Sequence, residues 1–114
     1  MKEQFVPLAI AQKLKEKGFD QSCMAYVYTG NTGTNVDQYV YGAISHDGNP
    51  IHENYNVYDM SYSLPLWQQA IDWLKSKGIL ITELWDGWEY AKLEEDFTWV
   101  QTKEQAIEHA LTLI

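Results

Sequence analysis

The sequence predicts an α+β domain, an antiparallel β-sheet with helices packed on one face, in the order α-β-β-α-β-β-β-α over residues 1–114. Three observations carry that class. Trp85-Asp86-Gly87-Trp88 sets an Asp-Gly dipeptide between two runs of strand-forming residues, the strongest short-range hairpin signal. Two proline-initiated segments end alike, as Leu14-Lys15-Glu16-Lys17-Gly18 and Leu74-Lys75-Ser76-Lys77-Gly78, with lysines near the helix dipole and glycine as the stop. Thr102-Lys103-Glu104-Gln105 is a capping box that opens a last apolar stripe.

In chain order, the first helix is expected over Pro7 to Lys17, with Val6, Ile10, Ala11 and Leu14 on one side. Cys23 to Tyr28 alternates small residues (Cys23, Ala25, Val27) with large ones (Met24, Tyr26, Tyr28), the pattern of a half-buried strand. Thr29 to Asn35 is a glycine-containing loop, and Tyr39-Val40-Tyr41 returns antiparallel to that strand. The loop matches neither the P-loop nor the dinucleotide pattern, and no helix follows to cap a phosphate. Residues 45–63 show no periodicity, and a connection of that length is either functional or locally folded. Within them, Tyr55, Tyr58 and Tyr62 fall at helical spacings of three and four.

The central helix is expected from Leu64 to Lys77, with Ser63 as its N-cap and Pro65 in its first turn. Leu66, Trp67, Ala70, Ile71, Trp73 and Leu74 give it a broad apolar stripe suited to lying across a sheet. The strand Ile79 to Trp85 follows. A two-residue Asp86-Gly87 loop would set Trp85 opposite Trp88, Glu83 opposite Tyr90 and Ile81 opposite Lys92. Leu84, Thr82 and Leu80 would then face Glu89, Ala91 and Leu93 on the other side. Glu94-Glu95-Asp96 is an acidic turn, Phe97 to Val100 a short strand, and Ala106, Ile107, Ala110, Leu111 and Ile114 line the last helix, with His109 at the edge of that stripe.

Charge narrows the function classes. The sixteen acids outweigh eight bases, all of them lysine, for a formal charge of −8. Eight acids and two lysines lie from Ile79 onward, leaving −6 there against −2 in the first 78 residues. A chain with no arginine lacks the planar fork that reads phosphates and guanine edges, so direct nucleic-acid binding is not expected and a partner with a basic surface is. No apolar run approaches the ~20 residues of a membrane span, and no signal region is evident, so a cytoplasmic, membrane-free protein is expected. Cys23, the one cysteine, reads as a small buried side chain.

The candidate binding surface is the aromatic face of the hairpin, Glu83, Trp85, Trp88 and Tyr90, with Glu89, Glu94, Glu95 and Asp96 as its acidic flank. It stands open if the helices cover the aliphatic face of Leu80, Leu84, Ala91 and Leu93. His46-Asp47 and His52-Glu53 are weak metal candidates whose spacing matches no established ligand set. The carboxylate pairs point to alternating faces or lie on turns, and Ser61 and Ser63 carry no nucleophile elbow, so no catalytic residue and no cofactor is expected.

Residues 64–79 (LPLWQQAIDWLKSKGI), 86–90 (DGWEY) and 104–111 (EQAIEHAL), with the early Leu-Lys-x-Lys-Gly-Phe helix end, resemble a family of small uncharacterised proteins of gut bacteria and their phages and mobile elements. The shared motifs are architectural, so the resemblance implies a common fold and a phage or prophage origin and transfers no active-site residue. The expected function is a non-enzymatic protein-interaction module. Two alternatives are an acidic nucleic-acid-mimicking inhibitor of a host protein and a small metal-dependent hydrolase using the 45–63 loop.

Overall fold

The computed structural model describes residues 2–30, 37–42 and 44–114. Its helices and antiparallel strands make the α+β class, with two three-stranded sheets in place of the single sheet expected. The chain gathers into two compact units, Met1–Leu66 and Trp67–Ile114.

In the first unit, α1 (Leu8–Glu16) begins after Pro7 and buries Ile10, Ala11 and Leu14. Its end is a Schellman closure: Gly18, at φ +89°, donates to the Lys15 carbonyl at 3.1 Å, and Phe19 donates to Leu14 at 3.0 Å. Phe19 and Leu14 are both buried, which supplies the apolar contact that accompanies this motif. The sheet runs β2-β1-β3, from β1 (Ala25–Tyr28), β2 (Gln38–Tyr41) and β3 (Ser61–Ser63). Ala25 and Val27 are fully buried, and Tyr62, opposite Val27, shares their face. There the Lys15 ammonium lies 4.8 Å from the Tyr62 ring centre, which places α1 on this side. Tyr26, Tyr28, Gln38, Val40, Ser61 and Ser63 occupy the other face.

The 45–63 stretch is locally folded. Ser45 to Asn49 is a turn held by the Asp47 carboxylate, and Tyr55–Val57 is one 3₁₀ turn capped by Asn54. Residues 31–36 of the glycine-containing loop lie outside the described residues.

Leu64 and Pro65 do not open the central helix. Leu64 precedes a proline and is thereby biased toward extended backbone. Its N–H donates to Ala25 at 2.9 Å, continuing β3, while the Pro65 carbonyl accepts from Val6 at 3.0 Å. Helix α2 therefore spans Trp67–Ser76, burying Ala70, Trp73 and Leu74, and ends at Gly78 with φ +84°.

In the second unit, β4 (Ile79–Leu84), β5 (Gly87–Lys92) and β6 (Thr98–Val100) form an antiparallel sheet in that order. Helix α3 (Lys103–Leu111) has the complete capping box, Gln105 N–H to Thr102 Oγ1 at 3.1 Å and Thr102 N–H to Gln105 Oε1 at 3.1 Å. The hairpin register differs from expectation. Leu84 pairs with Gly87, Glu83 with Trp88, Ile81 with Tyr90 and Ile79 with Lys92, so Trp85-Asp86 is the loop. None of Trp85, Asp86 and Gly87 has positive φ, and the type I′ geometry that favours Asp-Gly is not used. Gly87 is required for another reason: a Cβ there would fall 2.6 Å from the Val100 carbonyl oxygen and 2.7 Å from Trp99 Nε1. The slip is two residues, so each side chain keeps its face and only cross-strand neighbours change.

The helical cover lies on the face opposite to the one expected. Lys103 and His109 of α3 reach Trp88 and Tyr90, so the aromatic face of β5 is the covered one. Ile79, 1% exposed, and Val100, 8% exposed, share that face and complete its apolar layer. The rings carry the largest apolar area per side chain, and the helix lies over the face that holds them rather than over the more aliphatic one.

Candidate functional site

Of the hairpin aromatics, the structure leaves one fully open. Trp85, in the Trp85-Asp86 loop, is 97% exposed. Trp88 and Tyr90 are half-buried: the Lys103 ammonium sits 5.8 Å from the Trp88 ring centre, and the His109 ring meets the Tyr90 ring edge-on at 5.7 Å. The expected set is therefore split. Glu83 lies on the strand beside Trp88 and is exposed, while Trp88 and Tyr90 belong to the packing of α3.

Trp99 stands where Trp88 was expected. It pairs with Glu89, so both project from the face of the sheet opposite α3, and Trp99 is 52% exposed. Its indole packs on Gly87, directly beside the Trp85 loop, and Phe97, also exposed, lies just before the start of β6. Glu94, Glu95 and Asp96 are all exposed in the turn before β6, where Glu94 adopts φ +70° and Glu95 N–H donates to Lys92 at 3.0 Å. The result is a rim of exposed indoles and carboxylates along β6 and the hairpin tip. A period-two reading of 97–100 with the covered face assigned correctly would have found Trp99; what hid it was the inverted cover.

Sequence reasoning missed a second constellation, on the face of the first sheet opposite α1. Tyr26 and Tyr55 stack with ring centres 4.2 Å apart and planes 24° from parallel. Tyr55 N–H donates to Ser63 Oγ at 2.9 Å, and Asn56 pins the same turn twice, its Nδ2 donating to the Phe19 carbonyl at 3.0 Å and its Oδ1 accepting from Ser63 N–H at 2.9 Å. The Tyr58 hydroxyl donates to the Glu53 carboxylate, and that hydrogen bond, with the carboxylate's charge second, pushes the phenol's pKa up; burial does the same first for Tyr55 and for Tyr41. The Lys15 ammonium holds the carbonyls of Tyr58 and Ser61 at 2.9 and 2.8 Å, across the turn where Met60 takes φ +66°. That turn sends Tyr62 to the α1 side, so the three tyrosines at helical spacing do not share a face.

His46 and His52 are exposed, and among the described residues no group of three or more His, Cys, Asp or Glu side chains comes together that could hold a metal ion. Asp47 is instead engaged by the Ser45 hydroxyl and the Asn49 amide, which hold its carboxyl below the ordinary range. No described helix is long and apolar enough to cross a membrane. Neither protein-family models nor curated proteins nor solved structures give a match to this chain.

Proposed function

We propose that the chain is a non-enzymatic protein-interaction module that docks a basic-rimmed protein in the cytoplasm through the tip and edge of its second sheet. The observation that carries this is Trp85, an indole 97% exposed at the tip of a tight hairpin. Tryptophan is among the residues most enriched at binding hot spots, and one held 97% exposed by a two-residue loop gains little from its own fold. Trp99 extends the apolar patch, and Glu89, Glu94, Glu95 and Asp96 surround it with negative charge that attracts a cationic partner and rejects an anionic one. The sequence resemblance supports a phage or prophage origin for such a module.

Affinity capture from host extract with the wild-type chain, Trp85→Ala and Trp99→Ala tests it. The expected result is a captured protein with a basic surface that the wild type retains at low salt, that salt weakens, and that Trp85→Ala loses by about tenfold or more. Variants that keep every partner of the wild type would overturn the proposal.

A further inference from the structure

The first unit contains a cavity of about 380 Å³ walled by Tyr26, Tyr28, Tyr55 and Tyr58, with Gln38 and Glu53 among its polar lining. That volume falls in the range of small-molecule sites, roughly 300–1,000 Å³. The structure assigns this cavity as a binding site for a small organic cation bearing an alkylated ammonium group, held by the tyrosine rings that line it and by the Glu53 carboxylate. The inference does not rest on the docking reading.

The charge of the lining decides the ligand class. Glu53 is the one charged side chain among the described lining residues, and none of them is basic. Residues 31–36, which lie outside the described set, contain no charged side chain either. Aromatic faces beside a carboxylate attract a cation through the ring quadrupole and through simple charge, and neither term needs a free lone pair in a fixed direction. That matters because the Glu53 carboxylate already accepts from Tyr58.

The same chain shows the preference elsewhere. Lys15 lies 4.8 Å from the Tyr62 ring centre, Lys103 4.7 Å from Trp67 and Lys77 5.3 Å from Trp73. Its aromatic faces thus regularly seat ammonium groups, and the cavity groups tyrosines with no lysine of its own among the lining.

The walls are also built. The Tyr55 turn is bonded to Ser63 and Phe19, Glu53 pairs through its backbone with Cys23 at 2.9 and 3.1 Å, and Tyr28 rests on Gly30 so closely that a Cβ there would lie 2.2 Å from its hydroxyl oxygen. A pre-formed site loses less on binding than one that must be ordered.

The test is titration of the purified full chain with choline, with its neutral carbon isostere 3,3-dimethylbutan-1-ol and with glucose, followed by NMR chemical shifts. Expected is saturable choline binding, about tenfold tighter than the isostere, weakened about tenfold by Glu53→Gln and by Tyr28→Leu. Tyr58→Phe, which keeps the ring, should change it no more than about threefold. Glu53→Gln is isosteric and leaves the backbone pairing with Cys23 intact, so it decides the matter if Tyr28→Leu is found by circular dichroism not to fold. Equal affinity for choline and the isostere, no saturable choline binding, or tighter binding of glucose would each overturn the assignment.

Discussion

The two sheets treat their aromatic residues in opposite ways. In the first unit, Tyr26 and Tyr28 stand on the face away from α1, and the chain folds its own Tyr55 turn back over Tyr26, bonding it to Ser63 and Phe19. In the second, Trp88 and Tyr90 lie under α3, while Trp85 and Trp99 are left to solvent. A surface that must bind a small molecule needs walls, and local hydrogen bonds make them. A surface that must meet another protein needs exposed anchors, and a rigid hairpin presents them at low entropic cost.

The sharpest way to break the comparison uses the glycine beneath each surface. Gly87→Ala forces a Cβ against the Val100 carbonyl, a backbone atom that cannot yield, and is expected to cost about 3 kcal/mol in urea unfolding. Gly30→Ala meets only the end of the Tyr28 side chain, which can swing aside. It should cost about 1 kcal/mol or less while impairing the cavity. Equal costs would mean that β6 does not approach Gly87 as described.

Next in size is Asn56→Ala, which removes two hydrogen bonds that tie the Tyr55 turn to Phe19 and β3. A loss of about 2 kcal/mol is expected, and the Tyr26–Tyr55 stack should loosen, visible in the ring-proton shifts. Its counterpart in the second unit is Thr102→Ala, which undoes one half of the α3 capping box and should cost about 1 kcal/mol in the same unfolding assay. Smallest of all, Trp85→Ala should change stability by less than about 0.5 kcal/mol, since the side chain is almost wholly in water.

Alkaline titration separates the units by another route. Tyr41, Tyr55 and Tyr58, all in the first unit, have folded pKa values above that of a free phenol. A raised folded pKa favours the protonated, folded form, so this contribution is complete below about pH 10 and is lost as the pH rises through the folded values. Stability of residues 1–66 should therefore fall above about pH 10, and amide exchange there should accelerate, with Tyr58→Phe removing part of the dependence.

The parts of this structure that were legible in the sequence are those set by neighbours along the chain. The Thr102–Gln105 capping box, both Lys-Gly helix ends and the small-large alternation of β1 all took the form their residues dictate. The features that were not legible depend on distant partners. Gly87 reads as a turn residue, yet its role is to admit Val100 and Trp99 from β6. Leu64 reads as helix, yet its N–H belongs to Ala25. Tyr55, Tyr58 and Tyr62 keep helical spacing, but Met60 in a left-handed conformation and the Lys15 ammonium reverse the chain between them. The covered side of the hairpin was inverted because strand alternation gives two faces and does not say which one the helix lies on.

Hydroxyl-radical footprinting of the five tryptophans, read by mass spectrometry, tests most directly the division of indoles on which the docking proposal depends. Trp85 should be oxidised fastest and Trp99 next, with Trp88 slower and Trp73, 3% exposed, slowest of all. A Trp85 as protected as Trp73, or a Trp88 as reactive as Trp85, would contradict the account.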